Sequence, residues 1–417
     1  MLLTDSDVGA GRSAAARRAR LREQVLITAA NPGLSALLAV GRTLGPRRGG
    51  VLRVPRLGVV VTDPVLIRGV LTDYGSMSLL GEGGVGHLWA QVLGEWVYDA
   101  FDGPGHVSLR QRSRDLFTEA NAAGIVAQVF DAPVARALTR LEKGYVLDVA
   151  ALARELVGRM VVHLLGLRVG SGRSGFLDPA DPSPYLEVYA TGERLASLAL
   201  GTQASTELDG RTVAQARTLV TELTRDVPTA FQHAPTSTLL GRCREMGLRE
   251  HEATGLATLM LVAGTETAAS AMGRTVALLA DTGQVQDVVA DPALVEAAVR
   301  EGLRVSTPAA VIGRHVVRDT VVGHLAVRAG ERVVLLTHVA DNLAGGFDVR
   351  RPYDPSTRQL WFGAGRHLCL GAPVARAELA HLLGALAATG RPWRVRRRAP
   401  SRRALVPAYH RLEIVLR

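Results

Sequence analysis

The chain is poor in cysteine, lysine, aromatics and long apolar runs, and each shortage excludes something. Cys243 and Cys369 are the two cysteines in 417 residues. That is too few for a disulfide-stapled secreted scaffold and suits a reducing compartment, so a cytoplasmic protein is expected. No run of about 18 apolar residues occurs, which excludes a transmembrane helix and leaves no membrane span to expect. The opening stretch, MLLTDSDVGAGRSAAARRARLREQ, lacks the apolar core of a secretory signal, and residues 1–25 read as a flexible tail. Aromatics make up 4%, and Lys143 is the one lysine, so the net charge of +10 is carried by arginine. Those arginines are spread along the whole length and are not interleaved with aromatics. The pattern speaks against nucleic acid and for an acidic protein partner that meets one basic face. The densest patch, RPWRVRRRAPSRR, reads as a solvated loop.

What is present is the material of a large core: 47% hydrophobic and 21% charged residues. VLRVPRLGVVV, residues 51–61, alternates and is β-branched, which predicts a hairpin. DPVLIRGVLTDYG predicts a short capped helix, and residues 77–104 are Gly-rich and read as irregular. Helical patterns fill 106–168 and 184–228, and a long helix, apolar on most faces and therefore buried, is predicted over about 249–281. A helix over 292–305 stops at Thr307-Pro308, strand-like runs occupy 311–337, 340–360 is poorly periodic, and a last helix covers 372–388. Helices dominate and strands are short, so the fold class is mostly α with small β-sheets. No repeat or linker divides residues 26–417, which are read as a single domain. GEGGVG, Gly81 to Gly86, matches a dinucleotide fingerprint, but DYGSMSLL before it is a poor strand, so a flexible loop is the better reading.

WFGAGRHLCLG, residues 361–371, sets Cys369 among glycines with neither a disulfide partner nor a zinc-type cluster. A lone thiolate is a soft axial ligand for haem iron, where it pushes electron density towards O–O cleavage. Gly363, Gly365 and Gly371 let the backbone turn tightly and approach a flat macrocycle. The helix that starts near Ala372 aims its N-terminal dipole at Cys369, which should lower the thiol pKa. Phe362 can cover the loop, and His367 can reach a cofactor carboxylate.

Phe362-x-x-Gly365-x-x-x-Cys369-x-Gly371 resembles the haem-binding loop of the cytochrome P450 family. The resemblance runs from about residue 50 to the C-terminus and implies that fold, haem b as cofactor and Cys369 as iron ligand. AGTET, in the middle of the long helix, then places Ala263 and Gly264 beside the haem. Glu266 and Thr267 match the acid–alcohol pair that delivers protons for dioxygen cleavage. Glu301-x-x-Arg304 matches a structural pair completed by a third arginine. Arg350 and Arg351 are the candidates, ahead of Arg358, and Arg351 is preferred. His106-x-x-x-Arg110 shares one helix face. With Arg314 it matches the residues that grip the haem propionates, and such positive donors suit carboxylates in a low-dielectric site. Two departures stand out. Gln359 occupies a place where a histidine is frequent, and ADNLAGGFDVRR is irregular against the usual pattern.

The resemblance implies a haem-thiolate monooxygenase that inserts one oxygen atom from O2 into a hydrophobic small molecule, by hydroxylation or epoxidation, in bacterial secondary metabolism. Electrons would come from NAD(P)H through a separate ferredoxin and ferredoxin reductase. Arg110, Arg112, Arg114, Arg366 and Arg376 are the docking candidates. The substrate pocket would draw on residues 77–100, Leu259, Val262, Ala263, Ala309, Ala310, Val311, Ile312 and Tyr409. The rival readings are a peroxide-using peroxygenase and a non-oxygenating haem-binding or oxidative-coupling protein; Glu266 and Thr267 speak against both.

Overall fold

The computed structural model describes residues 5–81, 84–168, 180–200, 207–355 and 357–417, with side chains from residue 14 onward. Its first half is built of α1 (Asp5–Ala30), α2 (Pro32–Leu44), β1 (Val51–Val54), β2 (Gly58–Val61), α3 (Pro64–Thr72), β3 (Met77–Ser78), α4 (Val85–Leu93), α5 (Trp96–Asp102), α6 (Pro104–Arg112), α7 (Glu119–Glu142), β4 (Leu147–Asp148), α8 (Val149–Leu165) and α9 (Ser183–Leu200). The second half holds α10 (Gly210–Leu223), α11 (Val227–His233), α12 (Leu239–Glu245), α13 (Glu250–Thr282), α14 (Val285–Ala290), α15 (Leu294–Ser306), β5 (Ile312–Val316), β6 (Thr320–Val322), β7 (Leu325–Val327), β8 (Arg332–Leu335), α16 (Thr337–Asp341), α17 (Ala372–Ala388), β9 (Trp393–Pro400) and β10 (Tyr409–Leu416).

Local chemistry sets many of these boundaries. The side chains of Asn31, Asp63, Thr118, Asp148 and Asp209 accept the free amides at the starts of α2, α3, α7, α8 and α10, each cap contributing about 1 kcal/mol. The axis of the fold is α13, a 33-residue helix that Gly283 ends in the left-handed conformation at φ 74°. It packs against α8, α9, α15 and α17. Close approach to α9 is possible because position 192 is glycine, where a Cβ would lie 3.3 Å from Leu261 O. A five-stranded mixed sheet in the order β1-β2-β8-β5-β3 carries its own apolar cluster around Val59, Val61, Val333 and Leu335. β4-β10-β9 form a second sheet, and β6 and β7 a hairpin.

Three expectations are corrected. Residues 77–104 are not irregular throughout but include α4 and α5, anchored where Trp96 lies against Gly255 of α13, a position at which a Cβ would sit 1.9 Å from the indole. The flexible tail over 1–25 is helical from Asp5 onward; residues 1–4 lie outside the described part. Ala19 and Leu26 bury one face of α1, and Glu23 reaches the buried Arg274. The arginine-rich patch near the C-terminus is not simply a solvated loop, because Trp393 to Pro400 form β9, paired with β10, with Trp393 buried between arginines that point outward. The Gly81–Gly86 stretch follows a two-residue strand that pairs antiparallel with β5, which is not a βαβ unit; residues 82 and 83 lie outside the described part. Among the described residues no helix is long and apolar enough to cross a membrane.

Candidate functional site

The cysteine loop is closed by its own backbone. Cys369 N donates to Phe362 O at 2.9 Å, and Leu368 N donates to Gly365 O at 3.1 Å. Gly365 has φ 69°, and a Cβ there would lie 2.1 Å from the Tyr74 hydroxyl, which accepts a bond from Arg366 N at 2.7 Å. Only glycine combines that conformation with that approach. Cys369 is accessible on one side, while protein desolvates the rest of its thiol. That burial pushes the thiol pKa up, against the amide of Gly371 and the guanidiniums of Arg110 and Arg376, which favour the thiolate. The expected net lowering is thus reversed by the surrounding protein. The other thiol, Cys243, is buried in the core and pushed up to about 12. Gln359, at φ 59°, accepts from Arg376 Nη1 at 2.9 Å, and that guanidinium stands 5.5 Å over the Phe362 ring. The departure from histidine therefore has a local role: Gln359 holds the arginine that covers Phe362.

A cluster of cations converges beside this loop. The His106 ring lies 4.8 Å from that of His367, and Arg110 Nη2 donates to Leu368 O at 2.8 Å. Arg314, 5% exposed on β5, points one guanidinium nitrogen at Gly313 O, 2.9 Å away. His367 Nε2 and Arg366 Nη2 both reach Asp102 Oδ1, at 2.9 and 2.8 Å. Burial lowers Arg314 to about 10, with Asp102 opposing and Arg366 adding to the fall. Burial, then the neighbouring His367, Arg110 and Arg366, lowers His106 to about 4, so this imidazole is neutral at physiological pH. Asp102 and Tyr74 were not foreseen; the signal available was the Asp-Gly-Pro-Gly-His run that precedes Arg110.

At the centre of α13 the residues alternate in an informative way. Leu261, Val262, Thr265 and Glu266 are buried, while Leu259, Gly264 and Thr267 are half-buried and Ala263 is exposed. Spacings of four residues put Leu259, Ala263 and Thr267 on one stripe, an accessible strip on a helix otherwise sunk in the core. Thr267 Oγ1 donates to Ala263 O at 2.8 Å. Glu266 accepts from Val406 N at 3.3 Å through Oε2, and its Oε1 is buried without a partner among the described residues. Burial, reinforced by Glu193 of α9 and opposed by the Val406 amide, pushes Glu266 up to about 7. Val406 is a contact that sequence reasoning missed.

The remaining candidates divide. Arg304 makes a two-pronged pair with Glu301 at 2.7 and 2.8 Å, and Arg351 Nε joins Glu301 at 3.3 Å. Arg350 instead reaches Asp287, which makes Arg351 the third member. Ala309 is exposed, Val311 and Ile312 are half-buried, and Ala310 packs with Val60 and Val334 beneath the sheet. Tyr409 stands apart: it lies against Gly273, and its hydroxyl meets Arg398, well along α13 from Ala263. Its place in a pocket with Ala263 is therefore withdrawn. Of the five docking arginines, Arg110, Arg366 and Arg376 are engaged with Leu368, Asp102 and Gln359. Arg112 and Arg114 line an open groove of about 530 Å³ with Asp115, Arg242 and Glu245.

The family model for cytochrome P450 matches residues 232–387, from the end of α11 to the end of α17. Putative cytochrome P450 140 of Mycobacterium tuberculosis is 33% identical over 163 residues, 36% of this chain and 37% of that protein. Pentalenic acid synthase of Streptomyces avermitilis is 38% identical over 139 residues, 32% of this chain and 35% of that protein. The segment that aligns thus spans little more than a third of these curated relatives. The backbone likeness extends further. A mutant of P450 EryK in complex with erythromycin B superposes with a TM-score of 0.72 at 21% identity, over 92% of this chain and 96% of that one. P450BioI in complex with a fatty-acid-ligated acyl carrier protein gives 0.73 at 18% identity, over 92% and 99%. Residues 232–387 are thus similar in sequence to cytochromes P450. The fold of a cytochrome P450 is matched over 92% of the chain, while the segment that the family model matches holds Glu266, Glu301 and Cys369 but not α6 with His106 and Arg110.

The residues present fit the haem that cytochromes P450 carry. One accessible thiol with a backbone amide at its sulfur suits an iron, and the arginine and histidine cluster suits two carboxylates. Among the described residues no group of three or more His, Cys, Asp or Glu competes as a metal site.

Proposed function

We propose that this chain is a cytochrome P450, a haem-thiolate monooxygenase that places one oxygen atom from O2 into a hydrophobic small molecule. The observation that carries the reading is Cys369, accessible at the N-terminal end of α17, with the Gly371 amide and two arginines favouring its thiolate against burial and a cluster of cations beside it. Haem b bound through Cys369 would supply the activation of dioxygen and the oxygen transfer. The chain's own residues do the rest. Arg110, Arg314, Arg366, His106 and His367 would hold the carboxylates of the haem, and Phe362, Gly363 and Gly365 shape the loop that carries Cys369. Ala263 and Gly264 would leave the haem room, because the helix lacks bulk there. Glu266, with a pKa of about 7, exchanges a proton near neutrality, and the Thr267 hydroxyl is one residue away to place it. Leu259, Ala263 and Ala309 offer apolar surface to the substrate, whereas Val262, expected beside them, is buried in the core. The kinship with pentalenic acid synthase supports a substrate from bacterial secondary metabolism, and Arg112 and Arg114 suit an acidic ferredoxin fed by NAD(P)H through its reductase.

The reduced protein with carbon monoxide should absorb near the wavelength in the family's name, and Cys369→Ser should abolish that band. A normal band in the variant ends the ligand assignment. For proton delivery, Thr267→Ala should lower the coupling of NAD(P)H consumption to product by roughly 100-fold, the lower end for positioned proton transfer. Unchanged coupling with O2 and a ferredoxin system would sink the proton-delivery assignment.

A further inference from the structure

Asp102 is a carboxylate placed inside the cation cluster. It closes α5, directly before Gly103-Pro104 opens α6. Its Oδ1 takes both His367 Nε2 and Arg366 Nη2, and its Oδ2 accepts from Ser78 Oγ at 3.2 Å. The turn that carries it is braced. Asp99 Oδ1 accepts from Gly105 N at 3.1 Å, and a Cβ at Gly103 would lie 2.2 Å from the same oxygen. A single turn therefore presents Asp102 to the cysteine loop and His106 to the His367 ring.

The charges of the cluster can be counted. Arg110, Arg314 and Arg366 bring three positive charges, His106 is neutral, and Asp102 brings one negative charge. Burial disfavours the Asp102 anion, but the His367 hydrogen bond and Arg366 hold its pKa below the usual carboxylate range. Leaving His367 aside, the balance is two positive charges, and a haem carries two propionates. Like charges gathered at low dielectric repel strongly, so a third unbalanced guanidinium would raise the cost of the cluster.

We propose that Asp102 is a positioning residue of the haem site, which ties Arg366 and His367 of the cysteine loop to the α5–α6 turn and trims the arginine cluster to the charge of two propionates. The inference rests on the haem-thiolate reading. Asp102→Asn keeps the shape and removes the charge, so the site gains one net positive charge and favours the more electron-rich haem. The haem reduction potential should then move to more positive values. Arg366→Gln should move it the other way, and the Asp102→Asn/Arg366→Gln pair should return it towards the wild-type value. Asp102→Glu, which keeps the charge but not the reach, should leave the potential near wild type while haem transfers several-fold faster to apomyoglobin.

Redox titration and haem-transfer kinetics on the full chain read these effects without any turnover. An Asp102→Asn protein that loads haem with an unmoved potential overturns the proposal. If that variant does not load haem, the charge-balanced double variant should recover loading, and failure to do so also overturns it. A wild-type protein without the thiolate–CO band would instead sink the haem-thiolate reading, so the two failures are distinguishable.

Discussion

At the scale of single residues, the site depends on positions where the backbone leaves no alternative. Gly365 sits at φ 69° with the Tyr74 hydroxyl where a Cβ would be. Gly365→Ala would strain the loop and push Tyr74 off Arg366 N, at a cost of about 1–3 kcal/mol. Chemical denaturation of the haem-loaded protein should show that loss; Tyr74→Phe, which removes only the hydroxyl, should restore part of it in the double variant. Glu266 makes the second residue-scale prediction. If its protonated form feeds the reaction, kcat should fall as pH rises through about 7, its folded pKa. Glu266→Gln should lower kcat and erase that step from the pH profile. A step that persists in the variant would belong to another group.

At the scale of elements, α1 is a working part of the fold rather than an appendage. Glu23 Oε2 accepts Arg274 Nε at 3.0 Å, Arg274 Nη1 donates to Ser306 O at 2.7 Å, and the guanidinium is 1% exposed. One buried arginine thus joins α1, α13 and the end of α15. Removing a single partner leaves a buried charge uncompensated, so Glu23→Ala should cost about 3–5 kcal/mol in urea unfolding. Glu23→Ala/Arg274→Met, which removes both charges, should recover much of it. The same helix shows where the sequence was hard to read. Arg17, Arg18, Arg20 and Arg22 give the segment a solvated look, and the buried contacts of Ala19, Glu23 and Leu26 are visible only once α13 lies beneath them. α13, by contrast, was legible to within a residue or two, because an uninterrupted apolar helix needs no tertiary partner to be recognised. α4 and α5 were hidden by flanking glycines and are held by Trp96 against Gly255, a long-range contact. The cysteine loop and Glu301–Arg304 were readable from the family resemblance that their motifs carry, whereas Asp102 and Val406 enter through side chains or amides distant in sequence.

At the scale of the whole molecule, several buried titratable groups carry opposite pH dependences, and their balance sets stability. Burial pushes Asp341 and Glu378 up to about 8 each, the Asp341 shift opposed by a hydrogen bond from Thr307, and Glu266 to about 7. Burial, aided by Arg274 and Arg42, takes His338 down to about 3, and His106 falls to about 4. The three carboxyls keep protons that the unfolded chain has already released. Their contribution is complete below the ordinary carboxylate range and is lost as pH rises towards 7 to 8. The two imidazoles stay neutral where the unfolded chain binds protons, so their contribution is present above about 6.5 and is lost as pH falls towards 3 to 4. Between about 4.5 and 6.5 the two sets largely oppose one another, whereas above 6.5 only the carboxyls still titrate. The unfolding free energy of the full chain should therefore drop by on the order of a few kcal/mol from pH 6.5 to 8. Asp341→Asn and Glu378→Gln should each flatten that descent in urea titrations across the range. A stability that rises over this interval would mean that these buried carboxyls are ionised in the fold, each held by a partner charge.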